Sequence, residues 1–185
     1  MIKLNDKDIR IHLIKFLNKY KPKKIVEELR VHNGNAIADV VTVSNLLHCY
    51  EIKGDNDSII RAVKQAEFYN KCFPKITLVT TENHFNNAVS KIPFFWGIII
   101  CKYTDDGVVF TYRRKSSYNP LLDKKQALLT LWKKELEEIG KEFLQIKINR
   151  NLSREIYANE ISKIITKNDL SFFISKSIHN RESFI

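Results

Sequence analysis

Two carboxylates and one lysine stand in neighbouring apolar segments of the chain. Asp39 lies within residues 36–43, and Glu51 and Lys53 lie within residues 46–53. Magnesium in proteins prefers one or two carboxylates together with water and phosphate oxygens. A bound divalent cation lowers the pKa of water and neutralises phosphate. The three residue types are therefore suited to metal-assisted hydrolysis of a phosphodiester.

Strand geometry would bring these side chains together. Side chains of a strand alternate between its faces, so Glu51 and Lys53 share one face and Ile52 takes the other. A hairpin through residues 44–45 would bring Asp39 beside Glu51. We therefore expect Asp39, Glu51 and the carbonyl of Ile52 to bind the metal. Lys53 would orient water or stabilise charge on the phosphate.

An ion-pair cluster without a ligand is the alternative. A buried carboxylate is costly unless it is paired, and Lys53 alone would neutralise Glu51 or Asp39. The spacing is short and common in proteins, so the residues themselves leave both interpretations open. The order of the surrounding elements bears on the choice.

Apolar periodicity predicts an α/β protein of α-β-β-β-α-β order. A first helix, capped by Asn5 or Asp6, has an apolar stripe; three strands follow at 24–31, 36–43 and 46–53. A helix capped by Asp57 then runs to about Lys71, before a strand at 76–80. Two further strands are expected at 94–103 and 108–113. Helices capped by Ser153 and Asp169 follow an amphipathic helix that includes Leu128, Leu131, Trp132, Leu136 and Ile139.

This order, with acids on the second and third strands, resembles the core of the PD-(D/E)XK nuclease superfamily. Ala38 stands where the superfamily's name pattern has proline, before Asp39, and Glu51, Ile52 and Lys53 match its (D/E)-x-K triplet. The resemblance implies a restriction-endonuclease-like fold with a mixed central sheet. It also implies a nuclease that uses Mg²⁺, with Mn²⁺ as a substitute, and acts on DNA.

The helix after the triplet resembles the Q-x-x-x-Y signature of the RecB-like branch. Gln65 and Tyr69 are four residues apart and share a helix face, which Arg61 extends. Gln65 is expected to assist catalysis, and Arg61 and Tyr69 to bind substrate. Ordinary amphipathic packing is the alternative for Gln65 and Tyr69. The superfamily often has an early glutamate on the first helix; here Glu27 and Glu28 stand on the first strand instead, on opposite faces, so that only one can join the site. We assign this role to Glu28, and a solvated charge on the strand is the alternative.

Further features resemble an uncharacterised bacterial family placed with these nucleases. They include Ile9 and Arg10 in the first helix, residues 93–97, and Leu131 with Trp132. This second resemblance extends over most of the chain, and it supports the fold more than any substrate.

The net charge of +10 favours a polyanionic partner, and nucleic acid is the commonest. Arg113 and Arg114, which follow a strand, are candidates to bind the nucleic-acid backbone, although a solvated loop would look the same. No apolar run is long enough to span a membrane. Three widely spaced cysteines and the lack of a secretory signal predict a cytoplasmic protein.

The chain is expected to divide into a nuclease-like core, residues 1–115, and a helical extension packed on it, residues 116–185. A homodimer or a protein partner is compatible with the sequence. Two alternatives to an active nuclease stay open. One is a catalytically silent nuclease-like fold that binds nucleic acid or protein, and the other is a toxin or effector nuclease.

Overall fold

A six-stranded sheet forms the centre of the protein in the computed structural model, which describes residues 3–105, 107–144 and 152–182. The strands are β1 (Lys24–Val31), β2 (Ala36–Val43), β3 (Leu47–Lys53), β4 (Lys75–Thr81), β5 (Gly97–Thr104) and β6 (Gly107–Arg114). The helices are α1 (Asp6–Asn18), α2 (Ile59–Cys72), α3 (Phe85–Lys91), α4 (Lys124–Leu128), α5 (Lys133–Leu144), α6 (Arg154–Ile164) and α7 (Lys167–Asn180).

The strands lie in the sheet in their sequence order, from β1 at one edge to β6 at the other. β1, β2 and β3 form an antiparallel meander, and β5 and β6 form an antiparallel pair. β3, β4 and β5 run parallel, because α2 and α3 provide the two crossovers that parallel neighbours require. The predicted α-β-β-β-α-β order, the mixed sheet and the C-terminal helices are confirmed.

Two apolar layers cover the sheet. On one face α1 packs through Ile9, Leu13 and Leu17 against side chains that include Val40 and Ile52. On the other face a larger cluster joins the sheet to α2 and to the C-terminal helices. The alternate residues of β3 therefore point into two different environments, and Glu51 and Lys53 lie on the side of α2.

The turn between β3 and α2 differs from the sequence prediction. Asp57 does not cap α2, which begins after Ser58. The Asp57 carboxylate instead accepts the backbone N–H of Gly54 at 2.8 Å. A Cβ at Gly54 would lie 2.7 Å from the carbonyl oxygen of Leu4. The turn thus packs directly against the chain before α1, where only glycine fits.

The C-terminal region also departs from the expected single helix. α4 ends at Leu128, and α5 begins at Lys133. Residues 127–131 are all buried, and five consecutive residues cannot all face inward from one helix. The break turns this apolar run toward the core.

The caps of the last two helices show one agreement and one correction. Ser153 caps α6, as predicted. Thr166 caps α7, where the sequence suggested Asp169. The Thr166 side chain accepts the backbone N–H of Asp169. No helix in the described ranges is long and apolar enough to cross a bilayer.

Residues of the proposed extension share one hydrophobic cluster with the sheet. Leu128, Ile161 and Phe173 belong to the same cluster as Val41 and Ile76. The helices after residue 116 therefore pack on residues 1–115 through a common core.

Candidate active site

The ladder between β2 and β3 ends beside Asp39. Val40 pairs with Tyr50, so the same register places Asp39 opposite Glu51. The Asp39 Oδ2 atom accepts the backbone N–H of Ile52 at 2.8 Å. The Asp39 carboxylate thus accepts the N–H that a backbone carbonyl of β2 would otherwise accept. Asp39 and Glu51 are neighbours across the two strands.

Glu51 is completely buried and has two side-chain donors. The Lys53 ammonium donates to one carboxylate oxygen, and the Tyr69 hydroxyl lies 2.8 Å from the other. Lys53 is itself buried and also donates to the carbonyl of Ile52 at 3.1 Å. A buried charge needs such partners, because water is not available to solvate it.

The environment of Asp39 favours its protonated form. Burial, and then the negative charge of Glu51, raise the pKa of Asp39 to about 7, although the N–H of Ile52 and the charge of Lys53 oppose the shift. A carboxyl group with this pKa is uncharged in part of the population at neutral pH. A cation bound near Asp39 and Glu51 would relieve their repulsion.

Helix α2 supplies a chain of hydrogen bonds to Glu51. The Tyr69 hydroxyl has one proton and two acceptors, the carboxylate of Glu51 and the carbonyl of Ile37, which is 2.6 Å away. The amide nitrogen of Gln65 donates to the Tyr69 oxygen at 3.2 Å. The pair that resembles the Q-x-x-x-Y signature therefore contacts the candidate site, with Tyr69 directly on Glu51.

Arg10 is a site residue to which the sequence analysis gave no role. From α1 its guanidinium donates to Glu28 at 2.8 Å, to Asp6 at 3.2 Å and to Asp39 at 3.4 Å. Glu28 stands across from Asp39 in the β1–β2 register, with a left-handed backbone (φ 53°). Glu28 therefore reaches the site through Arg10. Two features of the sequence pointed to Arg10 in advance: its place beside Ile9 in the second family resemblance and its i,i+4 spacing from Asp6.

The donors around Asp39 and Glu51 fit a magnesium ion. Asp39, Glu51 and the Ile52 carbonyl offer two carboxylates and one neutral oxygen, which are hard ligands of the kind that Mg²⁺ takes. No cluster of three or more His, Cys, Asp or Glu side chains suited to a metal occurs in the described part of the chain. The fit therefore depends on the backbone oxygen, to which Lys53 now donates.

Among the described residues, no hydrogen bond or ion pair joins the side chains of Arg61, Arg113 or Arg114 to the two carboxylates. Arg61 is exposed on α2, one turn before Gln65. Arg113, on the edge strand β6, pairs with Glu82 at 3.1 Å. Arg114 donates to the carbonyls of Trp96 and Pro93, at 2.7 and 3.0 Å. Arg114 therefore secures the loop before β5, and the structure does not bring it to Asp39 and Glu51.

The fold and site define a mixed α/β protein. Its two acids and one lysine lie where the hydrogen-bonded ladder between β2 and β3 ends. A family model described as "Bacteriophage P4 protein cII" matches residues 2–185, and the chain belongs to this family. It is 26% identical over 181 residues to "Protein cII" of Enterobacteria phage P4, covering 96% of this chain and 68% of that protein.

A solved structure of a protein of unknown function from Silicibacter pomeroyi is also similar. The match has 15% identity and a TM-score of 0.42, and it covers 65% of this chain and 76% of the other.

Proposed function

We propose that the protein is a metal-dependent nuclease that hydrolyses phosphodiester bonds of DNA. The observation that carries the proposal is the buried Glu51–Lys53 pair beside Asp39, with Tyr69 fixing the second oxygen of Glu51. Two coupled carboxylates and an ammonium in one place are costly to bury for stability alone. Such a group is suited to cation-assisted chemistry.

Each residue has a role that follows from its contacts. Asp39, Glu51 and the Ile52 carbonyl would hold Mg²⁺ or Mn²⁺. When bound, the ion supplies Lewis-acid stabilisation of phosphate charge and lowers the pKa of water. Lys53 has three N–H donors and uses two, on Glu51 and Ile52, so the third can bind a phosphate oxygen or water. Gln65 and Tyr69 hold the Glu51 carboxylate in position.

Several further features support this proposal. The site and element order resemble those of the PD-(D/E)XK superfamily, and the net charge of +10 favours a polyanionic substrate. The three cysteines are all buried and unpaired, which suits a reducing cytoplasm. A homodimer would allow both strands of a duplex to be cut.

A nuclease-like fold that binds nucleic acid without cutting it is the second candidate. Lys53 already satisfies Glu51 and the Ile52 carbonyl, and Arg10 already contacts Asp39. This internal pairing could stabilise the site without a metal. If a metal is bound, Mn²⁺ should raise the melting temperature of the wild-type chain and not of Asp39→Asn.

The deciding experiment measures cleavage of supercoiled plasmid, single-stranded DNA and RNA, each with Mg²⁺, Mn²⁺ or EDTA. Glu51→Gln and Lys53→Met test the site, and Glu67→Gln, an exposed acid on α2, is the matched control. We expect metal-dependent cleavage of DNA that both site variants lose and the control keeps. Absence of cleavage at high protein concentration, with folded protein, would reject the nuclease and favour the binding fold.

A further inference from the structure

A cleft of about 520 Å³ separates the free edge of the sheet from the helical extension. One wall is formed by residues 26–30 of β1 and by the turn at residues 33–34. The other wall comes from the extension: Leu129, Thr130, Trp132, Lys133, Arg154 and Arg181. The cleft thus gives the extension a surface in common with the strand next to the candidate active site.

The charges that line the cleft are mainly positive. Its cations are Arg30, Lys133, Arg154 and Arg181, and its acids are Glu27 and Glu28. Three lining charges have partners that compensate them: Arg181 is paired with Glu135, Lys133 with Glu137, and Glu28 with Arg10. The two remaining cations, Arg30 and Arg154, outnumber the one remaining acid, Glu27, which favours an anionic occupant.

Arg30 and Arg154 differ in how they are held. Arg30 is exposed, and its side chain has no hydrogen bond or ion pair with any described residue. Arg154 is fixed by the carbonyl of Leu131 at 2.7 Å and by the side chain of Asn33 at 2.7 Å. Arg154 therefore contributes a positive charge at a fixed position. Arg30 contributes a side chain that is free to reach a phosphate.

Trp132 adds an aromatic surface to this positive cleft. Its side chain is 52% exposed, although tryptophan is usually well buried. The Arg181 guanidinium lies 4.3 Å from its ring centroid and is held by both oxygens of Glu135, at 2.8 and 2.7 Å. An indole supported on one side by a fixed guanidinium is a rigid platform for stacking a nucleobase.

The cleft is connected to the candidate active site by Glu28. Glu28 lines the cleft and accepts a hydrogen bond from Arg10, which also reaches Asp39. Glu28, Asp39 and Glu51 lie at one level on three consecutive strands. Neighbouring strands are about 4.8 Å apart, which places the edge of β1 roughly 10 Å from Glu51.

We propose that this cleft binds a single-stranded polynucleotide and leads it to the Asp39–Glu51 site, with Trp132 stacking a base and Arg30 contacting a phosphate. The proposal rests on the proposed function for the class of its ligand. In a duplex the base faces are already stacked, so an exposed indole selects unpaired bases. An added peptide strand is disfavoured, because the left-handed backbone of Glu28 interrupts the edge with which it would pair.

Tryptophan fluorescence tests this proposal directly. The chain has two tryptophans; Trp96 is fully buried and donates to Asn70, so quenching by a ligand reports on Trp132. The Glu51→Gln variant, which should not cut, is titrated with a short oligothymidylate, with oligouridylate RNA and with a DNA duplex. We expect the DNA single strand, the RNA single strand or both to quench the fluorescence. The strand that binds more tightly shows whether the cleft prefers deoxyribose or ribose. The duplex should bind more weakly than the preferred single strand.

Two variants then assign the contacts. Variant affinities are measured by fluorescence anisotropy of a dye-labelled oligonucleotide, because Trp132→Leu lacks the indole whose quenching is followed above. By this measure Trp132→Leu should bind roughly 5- to 150-fold more weakly, the effect of removing one base–aromatic stack. Arg30→Ala should reduce the slope of log affinity against log salt concentration by about 0.7, the effect of losing one phosphate contact. Phe172→Leu, at an equally exposed aromatic, and Lys102→Ala, at an exposed cation on β5, should change neither.

The outcomes separate this inference from the proposed function. Binding that quenches Trp132, with no cleavage by the wild-type protein, would support the cleft and reject the nuclease. Normal cleavage of single strands by both Trp132→Leu and Arg30→Ala would reject the cleft and leave the nuclease in place. Equal affinity for duplex and single strand would also overturn the inference. Melting temperatures close to that of the wild type are required of each variant.

Discussion

The carboxylate of Asp39 accepts the backbone N–H of Ile52 at 2.8 Å. The bond joins β2 to the middle residue of the Glu51–Lys53 triplet where the backbone ladder ends. It fixes the position of one acid relative to the other. Asp39 therefore has two properties, a hydrogen-bond acceptor for Ile52 and a negative charge. Different substitutions can remove them one at a time.

Asp39→Asn should keep the fold and lose cleavage. The asparagine amide oxygen can still accept the N–H of Ile52, but the negative charge for a cation is gone. Asp39→Ala should also lose cleavage and, because it leaves a largely buried N–H without a partner, cost about 1–3 kcal/mol of unfolding free energy. Urea denaturation and plasmid cleavage of both variants measure the two effects. Equal destabilisation by the two substitutions would show that the hydrogen bond is unimportant.

Lys53→Met should destabilise the protein more than most single substitutions. It leaves the fully buried carboxylate of Glu51 without its cation, and removing one partner of a buried ion pair typically costs about 3–5 kcal/mol. In the double variant Glu51→Gln with Lys53→Met, the uncompensated charge is absent, so much of the stability should return while cleavage does not. A double-mutant cycle from chemical denaturation gives the coupling energy. If the stability losses of the two single variants simply add in the double variant, Glu51 and Lys53 do not interact as a buried pair.

Tyr69→Phe should reduce cleavage by roughly 10- to 100-fold, the range seen when a residue that orients a metal ligand is changed. The substitution keeps the ring but removes the hydroxyl between Glu51, Ile37 and Gln65. Steady-state cleavage rates with varied Mg²⁺ measure the effect, and Tyr118→Phe, at an exposed tyrosine, is the control. A wild-type metal dependence in Tyr69→Phe would indicate that the hydroxyl serves packing only.

His48 should make the protein less stable in acid. Burial, and then the charge of Lys75, lower the pKa of His48 from 6.5 to about 3, so the unfolded chain binds a proton that the folded chain does not. Stability is therefore lost as pH falls from about 6.5 toward 3, by at most about 1.4 kcal/mol per pH unit.

Unfolding free energies of the wild type and His48→Gln, measured between about pH 7 and pH 4, test this dependence. Their difference should shrink as the pH falls, because the variant has no imidazole to protonate. His179→Gln, at an exposed position at the end of α7, should follow the wild type. A constant difference between wild type and His48→Gln would refute the prediction.

The sequence predicted the strands of the site better than its helical contacts. Period-two alternation was sufficient to put Glu51 and Lys53 on one face and to bring Asp39 beside Glu51. The contact of Arg10 with Asp39 depends on how α1 lies across the sheet, which local periodicity does not determine. The sequence also did not reveal that Arg114 donates to the carbonyls of Trp96 and Pro93, because those contacts form only when the loop before β5 folds back on β6.

The helical extension was harder to predict for a related reason. No proline or glycine separates α4 from α5, so the apolar spacing continued as if it were one helix. Burial of the consecutive leucines decided the break, and that burial comes from tertiary packing. Trp132 lies within this break, and its side chain lines the cleft beside β1.

The left-handed backbone of Glu28 has a consequence for self-association. β1 is an outer strand, and a second molecule could in principle extend the sheet by pairing with it. At Glu28 the chain departs from extended geometry and carries a charged, 67% exposed side chain, so an incoming strand could not continue a regular ladder past this residue. The chain thus resists edge-to-edge polymerisation through β1, and a homodimer would have to use a different surface.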